Sequence, residues 1–360
     1  MPDPGERWCI LYGFHQTDVV GPVQRFKCLF CGKSFCERSF HIDFYTKKLA
    51  DYHEILTRNA SGESVSAIAR NLGLRPNCVT NRINRLARNC LAFHSSMLRS
   101  HPLADDLVAD GFESFDRSQY FPNNINILVG ARSQFLYAFT HTTLRRKGRM
   151  TRTQKRRRAE LERVYRAPRR GVEDSFARLC RVIPSLWSRS SRPTLHFITD
   201  LHPAYPRALA RVPSLAVAME RREFSHHAFS STIPRTVVNP LFAVNYMDRE
   251  IRKDQAAHRR ESTCFCRNTA NGLSRMAVYL VWHNYMKPHR INGAAQPDPS
   301  HAEVAEYRAG GAEELARRLF PGRAFLSFAR LEEWADRIWQ RLEATPLKRR
   351  PEYLPKFALA

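Results

Sequence analysis

Apolar and polar positions alternate with the two-residue period of β-strands in the middle of the chain. Within residues 105–142 three segments follow this pattern, the second at Ile125 to Gly130 and the third at Phe135 to Thr140. Residues 172–187 then repeat apolar positions at helical spacing, and residues 194–200 form one more strand-like run. Three strands, a helix and a further strand in this order predict an α/β protein with a mixed sheet.

Longer helical patterns flank the predicted sheet. Residues 44–92 and 242–286 have helical patterns, the second with a break near Asn268 to Gly272, and a last helix is predicted from Leu326 to Leu342. Residues 8–40 are instead rich in aromatic residues, cysteine and glycine turns. These changes divide the chain into a small N-terminal module at 1–42, a helical domain at 43–100, an α/β domain at 101–290 with a basic insertion at 144–170, and a C-terminal extension at 291–360.

Composition and charge narrow the class of protein. Lys and Arg number 58 against 34 acidic residues in a chain of 360, and the formal net charge is +24. A protein this basic usually meets a polyanion, so nucleic acid is the first expected partner and a membrane surface the second. No apolar run is long enough to span a bilayer, so we expect no membrane-spanning helix, and the polar N-terminus lacks the apolar stretch of a signal peptide. Of the two polyanions we therefore expect nucleic acid and no membrane as the partner. Nine cysteines with a single CxxC pair favour the reducing cytoplasm over a disulfide-stabilised fold.

The CxxC pair predicts a zinc site in the N-terminal module. Cys28 and Cys31 can grip one tetrahedral Zn²⁺, and Cys9 is placed to join them. Tyr12 stands where a second pair would have its other cysteine, so His15 or Cys36 would supply the fourth ligand. The alternative is a ribbon without metal, held together by the aromatic residues Trp8, Phe14, Phe26 and Phe30.

Residues 64–83 match a helix-turn-helix. Ile68, Ala69 and Leu72 would face a core, Gly73 would make the turn, and Pro76 suits the first position of the second helix. That second helix is predicted to expose side chains that can reach bases and phosphates, namely Asn77, Thr80, Asn81, Arg82, Arg85 and Arg88. The alternative is an ordinary helical hairpin with a solvated basic face.

Two acidic residues follow strand-like apolar runs. Asp110 follows Leu107 to Ala109, and Asp200 ends the run that begins at Leu195. Carboxylates on the rigid base of a sheet can share a divalent cation, although a single aspartate at such a place is often only a cap or a turn residue.

A third segment strengthens the acidic pair. In the predicted helix at 245–252, Asn245, Asp248, Arg249 and Arg252 share one face, and Glu250 lies well round the helix from Asp248. An oxygen ligand beside a basic side chain suits a site that holds metal and phosphate together. Taken alone, the segment would be read as a surface helix with ordinary charge pairs.

These parts, in this order, resemble bacterial insertion-sequence transposases of the DDE class, which carry an N-terminal zinc ribbon, a helix-turn-helix and an RNase H-like catalytic domain. The similarity covers roughly residues 8 to 290. It rests on Asp110 followed by Gly111 to Phe115, on Thr199-Asp200 with Ala204-Tyr205, on the helix at 245–252, on the run from Arg259 to Arg267, and on Trp282 to Tyr285 with Pro288-His289. Asn245 stands where this family has its glutamate, with Asp248 one turn further along the helix.

The resemblance implies an RNase H-like mixed sheet with helices on both faces and a metal-dependent DNA transposase. Asp110, Asp200 and Asp248 would hold Mg²⁺ or Mn²⁺, with Asn245 as a neutral ligand. Phosphate contacts would come from Arg145, Arg146, Lys147, Arg149 and Arg252. The partners would be double-stranded DNA at the element ends and the target, with a homo-oligomer forming on DNA in a bacterial cytoplasm, near the nucleoid.

Two other functions remain open at this point. Asn245 favours a catalytically decayed transposase that acts as a DNA-binding protein. Zinc knuckles and basic runs also suit an RNA-binding factor. Metal-dependent nicking separates the first alternative from the enzyme, and competition between duplex DNA and structured RNA tests the second.

Overall fold

The computed structural model describes residues 7–259, 264–290, 298–308, 310 and 312–360. The chain begins with a three-stranded antiparallel sheet in the order β1-β2-β3, formed by Cys9–Thr17 (β1), Gly21–Cys28 (β2) and Ser34–Cys36 (β3). Its strands have little buried surface, so this sheet depends on aromatic stacking. The ring of Phe35 lies 5.3 Å from that of Trp8 and 5.5 Å from that of Phe26.

Three helices follow, Tyr52–Ala60 (α1), Val65–Asn71 (α2) and Pro76–Ser100 (α3). The predicted helix-turn-helix is present in its local geometry. Ser64 caps α2 by accepting the N–H of Ala67 at 3.2 Å, and Gly73 has a φ of +61° in the turn, where a side chain would be strained. Pro76 is the first residue of α3, which runs for 25 residues and so extends past the predicted end of this helical region.

The main sheet has five strands in the order β6-β5-β4-β7-β8. The strands β4, β5 and β6 pair antiparallel, and β4, β7 and β8 pair parallel, so the predicted mixed sheet is confirmed. They are formed by Leu107–Phe115 (β4), Pro122–Gly130 (β5), Leu136–Thr143 (β6), Leu195–Asp200 (β7) and Phe224–Phe229 (β8). The sequence pattern missed β8, because on this edge strand only Phe224 is buried.

Helices cover both faces of this sheet. After β6 come Arg152–Glu162 (α4), Gly171–Cys180 (α5), Val182–Trp187 (α6), Ala204–Leu209 (α7), Pro213–Glu220 (α8), Phe242–Asp254 (α9) and Thr269–Tyr285 (α10). Asn126 of β5 donates to Ser175 of α5 at 2.6 Å on one face. On the other face, Phe112 of β4 contacts Arg252 of α9. The predicted single helix at 172–187 is two helices, with Arg181 between them.

The C-terminal extension packs against α3. It contains His301–Val304 (α11), Ala312–Leu319 (α12), Leu326–Ala329 (α13) and Glu333–Trp339 (α14), so the helix predicted from Leu326 to Leu342 is interrupted at Arg330, whose φ is +46°. Asn89 of α3 donates to the carbonyls of Leu319 and Gly322 at 2.7 Å each. One hydrophobic core extends from Ile42 through the sheet to Trp339. In the part of the chain that the structure describes, no helix has the length and apolar character needed to cross a membrane.

Candidate active site and nucleic-acid interface

Asp110 and Asp200 occupy adjacent positions on neighbouring parallel strands. In the register of β4 and β7, Ala109 lies opposite Thr199, so the next residue of each strand is one of the two aspartates. Asp200 is the last residue of β7, as predicted. Asp110 does not end its strand, because β5 continues to pair with β4 beyond it. The two carboxylates therefore meet where the pairing of β4 with β7 stops.

The carboxylate of Asp110 is held by two hydrogen bonds to a single oxygen. The backbone N–H of Gly111 donates to Oδ1 at 2.7 Å, and the hydroxyl of Tyr205 donates to the same atom at 3.1 Å. Burial raises the pKa of Asp110 to about 6, and the negative charge of Asp200 contributes to the rise. A divalent cation bound between two such carboxylates would neutralise their negative charges and remove the repulsion between them.

Both aspartates line a cleft of about 1000 Å³. Glu113 and Glu173 also line it, and Glu173 is paired with Arg207 at 3.1 Å. The other charged residues of the lining are all arginine or lysine, namely Arg145, Arg146, Lys147, Arg166, Arg169, Arg170 and Arg207. His202 also lines the cleft. The cleft thus combines two adjacent carboxylates with a wall of positive charge.

The basic insertion predicted at 144–170 forms much of that wall. Its helix α4 buries none of its side chains. Arg145 pairs with Glu162 at 2.7 Å, and the guanidinium of Arg146 lies 5.1 Å from the ring of Tyr120. These contacts fix the start of the insertion beside the carboxylates, whereas Arg149 is exposed and does not line the cleft.

The predicted third acid lies on α9. Asn245 and Asp248 are half-buried, and neither lines the cleft. Arg252, one turn after Asp248, lies 5.6 Å from the ring of Phe112 and donates to the backbone of β4 at 3.1 Å. Because side chains alternate along a strand, Phe112 and Asp110 belong to the same face of the sheet. The helix α9 therefore places Asp248 on the side of the sheet to which Asp110 belongs.

Glu250 is engaged elsewhere. Its carboxylate is buried and pairs with Lys253 at 2.7 Å and with Lys287 of the neighbouring segment. Asp254, one turn later, also binds Lys287, at 2.7 Å. This ion cluster joins α9 to the end of α10, so Glu250 is unsuited as a third ligand beside Asp110.

The structure corrects part of the predicted DNA-binding surface on α3. Asn77 and Asn81 are exposed and Thr80 is half-buried, as a DNA-contacting helix requires. Arg82, Arg85 and Arg88 were predicted to be exposed, but all three are buried. The prediction was wrong because the segment after β3 and the C-terminal residues cover this half of the helix.

The buried arginines of α3 have structural partners. Arg82 donates to the carbonyl of Lys48, and Arg85 donates to that of Ile42 at 2.8 Å. The guanidinium of Arg85 also lies 4.7 Å from the ring of Phe357, and that of Arg88 lies 5.8 Å from the same ring. These cations therefore attach the chain's N-terminal and C-terminal segments to α3.

Substitutions on α3 should separate folding from DNA binding. We expect Arg85→Ala to lower the free energy of unfolding by about 2–4 kcal/mol, because it leaves the carbonyl of Ile42 unpaired in a buried setting. The exposed Asn77→Ala should cost less than about 1 kcal/mol of stability and weaken binding to a cognate site by about 1–3 kcal/mol, whereas Asn81 is unsuitable as a control because its side-chain oxygen accepts from the buried Arg85 at 2.9 Å. Urea denaturation and DNA titration of both variants give the comparison. Equal stability losses would contradict it.

The N-terminal sheet brings together only part of the predicted zinc site. Cys9 lies directly opposite Cys28, and the pKa of the Cys28 thiol is lowered by the backbone N–H groups of Cys31 and Phe30 and by the Cys31 side chain. His15 was predicted as the fourth ligand and is too distant. It pairs with Val23, six residues along β1 from Cys9, or roughly 20 Å at the rise of a strand.

The aromatic alternative for this module is also only partly right. Trp8 and Phe26 stack on Phe35, but Phe14 and Phe30 are 70% and 65% exposed and hold nothing together. The thiol of Cys36 lies 3.7 Å from the hydroxyl of Ser39, with which it can form a hydrogen bond. Among the described residues, no group of three or more His, Cys, Asp or Glu side chains is arranged to hold a metal ion, here or in the cleft.

The sequence did not show how two features of the cleft are placed. Tyr205 belongs to the recognised motif after Asp200, but its hydrogen bond reaches an aspartate 95 residues away. The basic residues Arg166, Arg169 and Arg170 were predicted only as the end of the basic insertion, and they line the same cleft as the two aspartates. Both features depend on contacts between segments that lie far apart in the sequence, so local patterns do not show them. Four residues of the run from Arg259 to Arg267, at 260–263, lie outside the described residues.

The fold and site together define an α/β protein with a five-stranded mixed sheet, flanked by helices, and an acidic pair inside a basic cleft. Comparison with protein-family models and with curated protein sequences found no match.

Proposed function

We propose that this protein is a DDE-type DNA transposase, which cleaves DNA at the ends of an element and joins them to a target with the help of divalent metal. The observation that carries the proposal is the adjacency of Asp110 and Asp200 in the floor of a cleft with basic walls. Carboxylates side by side suit hard cations, and a basic wall suits the phosphates of a nucleic acid.

The order of the strands in the main sheet supports the same proposal. In the sheet order β6-β5-β4-β7-β8, the central strand carries the first aspartate, and its parallel neighbour carries the second. This arrangement is what an RNase H-like catalytic domain requires. The exposed N-terminal part of α3, with Asn77 and Asn81, would contact the DNA of the element ends.

The donor set fits Mg²⁺ or Mn²⁺. Asp110 and Asp200 would hold the metal, with Asp248 or Asn245 of α9 as the third ligand. When bound, divalent ions activate the attacking hydroxyl or water and stabilise the leaving oxygen. The chain's own groups do the rest: Tyr205 and Gly111 orient the first carboxylate, and the arginines of the wall bind and orient the DNA strand. A homo-oligomer on DNA would bring two ends together.

A DNA-binding protein without cleavage is the second candidate. It is favoured by Asn245 at the position of the family's glutamate and by the fact that Asp248 does not line the cleft. Incubating purified protein with labelled end DNA and Mn²⁺ distinguishes the two. Metal-dependent nicks support the transposase, while retarded bands in a gel without any cut support the binder.

DNA binding should depend steeply on salt. If the protein neutralises about six to ten phosphates, its affinity will fall by about three to five decades between roughly 50 and 200 mM salt. We expect Arg169→Gln with Arg170→Gln, in the cleft wall, to reduce the salt slope by about two. The control is Arg349→Gln with Arg350→Gln, an exposed pair outside the cleft. Equal slopes in the two double variants would show that the cleft does not bind the backbone.

A further inference from the structure

Tyr205 links the two aspartates of the site, because it follows Asp200 in the chain and hydrogen-bonds to Asp110. It lies in the first turn of α7, five residues after Asp200, and its hydroxyl reaches Asp110 on the neighbouring strand at 3.1 Å. The carboxylate of Asp200 accepts a hydrogen bond from the backbone N–H of His202 at 2.8 Å. The segment that follows the second aspartate therefore also holds the first.

The ring of Tyr205 has little freedom to move. It is 2% exposed and stacks on Phe176 of α5, with ring centroids 3.9 Å apart and planes 17° from parallel. Its hydroxyl is thus positioned by the packing of α5 against α7. An ordinary buried tyrosine needs only some acceptor for its hydroxyl, but this one uses a carboxylate that lies beside a second carboxylate.

The two donors to Asp110 meet at one oxygen. Gly111 and Tyr205 both donate to Oδ1, so the hydrogen bonds set the rotation of the carboxylate and leave Oδ2 as the oxygen with capacity for a metal. Outer hydrogen bonds of this kind orient metal ligands, and their loss typically reduces metal affinity by about ten- to a hundredfold.

We propose that Tyr205 is a positioning residue that orients the Asp110 carboxylate so that its Oδ2 joins Asp200 in binding a divalent cation. The inference rests on the proposed function, since it concerns the same site. It adds a residue that acts through Asp110 and touches neither the metal nor the DNA.

The test uses Mn²⁺ alone as the probe. Binding to the full-length protein is measured from the loss of the free-ion paramagnetic resonance signal, for the wild type, Tyr205→Phe and Tyr307→Phe. Tyr307 is the matched control because it is also buried and stacked, 4.7 Å from Phe135, while its hydroxyl has no hydrogen-bond partner among the described residues. Thermal unfolding of the metal-free variants checks that each one folds.

We expect Tyr205→Phe to weaken Mn²⁺ binding by about tenfold or more, and Tyr307→Phe to leave it unchanged. DNA binding without metal should be equal in all three proteins, and saturating Mn²⁺ should restore nicking by Tyr205→Phe. A distorted cleft would weaken DNA binding as well and would not be rescued by metal, so that result overturns the proposal.

Two further outcomes separate this inference from the proposed function. If the wild type binds Mn²⁺, Asp110→Asn does not, and Tyr205→Phe matches the wild type, the metal site stands and the role of Tyr205 is refuted. If the wild type itself binds no Mn²⁺, the proposed metal-dependent function fails, and the inference about Tyr205 fails with it.

Discussion

Replacing Asp110 by Asn is expected to reduce metal-dependent DNA cleavage by about three orders of magnitude or more. The amide removes the charge that a divalent ion requires beside Asp200, and losing several kcal/mol of electrostatic stabilisation in the transition state gives a loss of this size. The measurement is the rate of nicking of labelled end DNA in Mn²⁺. The control is Asp18→Asn, a change at an exposed aspartate after β1, which should cleave at the wild-type rate. Full activity of Asp110→Asn would refute the proposed site.

The same substitution should stabilise the metal-free protein at neutral pH. Burial and the charge of Asp200 raise the pKa of Asp110 in the folded state from 3.8 to about 6, so the folded protein binds this proton more tightly than the unfolded chain does. The ionised carboxylate therefore costs stability above that pKa, and the cost disappears as the pH falls towards the unfolded value. The shift corresponds to about 3 kcal/mol, of which Asn should recover about 1–3 kcal/mol.

Urea denaturation of the two proteins tests the stability change. The variant should be more stable than the wild type near pH 8, and the difference should shrink as the pH is lowered through 6. Adding Mn²⁺ should stabilise only the wild type, because binding to the folded state shifts the unfolding equilibrium. A variant that is less stable than the wild type at every pH would show that Asp110 has a structural role and bears no electrostatic strain.

Mild acid is expected to destabilise the fold through buried histidines. Burial lowers the pKa of His94 to about 4, that of His301 to about 4 and that of His258 to about 3. An unfolded histidine titrates near 6.5, so the unfolded state takes up protons first as the pH falls, and stability is lost between that value and the folded pKa. Between about pH 7.5 and 5 each of these three groups destabilises the fold by about 2 kcal/mol, and protonation of Asp110 acts in the opposite direction by about 1 kcal/mol.

The contribution of one histidine can be isolated. His94 is buried between Tyr285, whose hydroxyl lies 3.0 Å from Nδ1, and the carbonyl of Tyr137, 2.9 Å from Nε2. In His94→Gln, the difference in unfolding free energy between about pH 7.5 and 5 should shrink by about 2 kcal/mol. An unchanged pH dependence in His94→Gln would mean that this imidazole is solvated in the fold.

Much of the α/β architecture follows from local pattern. The strands β4 to β7 were predicted from their strand-like apolar segments, although β5 and β6 are covered on both faces and are buried at nearly every residue, so burial itself imposes no alternation on them. The strand β8 was missed because an edge strand with Ser225, His226 and His227 has no such apolar segment. Helix interruptions at Arg181 and Arg330 were also missed, since neither position carries proline or glycine, the residues that usually mark a break.

The candidate site was predictable only as a set of separate residues. Each aspartate could be recognised as an acid after an apolar run, but their adjacency depends on the parallel pairing of β4 with β7. The basic insertion could be recognised from its run of positive charges, but only its position beside the sheet makes its ends a wall of the cleft. For Asp248, the sequence predicted which face of its helix it shares with Asn245. Its position outside the cleft lining depends on how α9 packs against the sheet, which the sequence does not show.

The sequence alone determined the charge, the period of the strands and helices, the turn at Gly73 and the identity of the two aspartates, because each of these depends on residues within a few positions of one another. The tertiary structure decided which charges reach solvent. Arg82 and Arg85 share a helix with the exposed Asn81, yet Lys48, Ile42 and Phe357 bury them, whereas the arginines after α4 remain open to the cleft. Burial is set by segments far apart in the chain, and no local pattern on α3 records what will cover it.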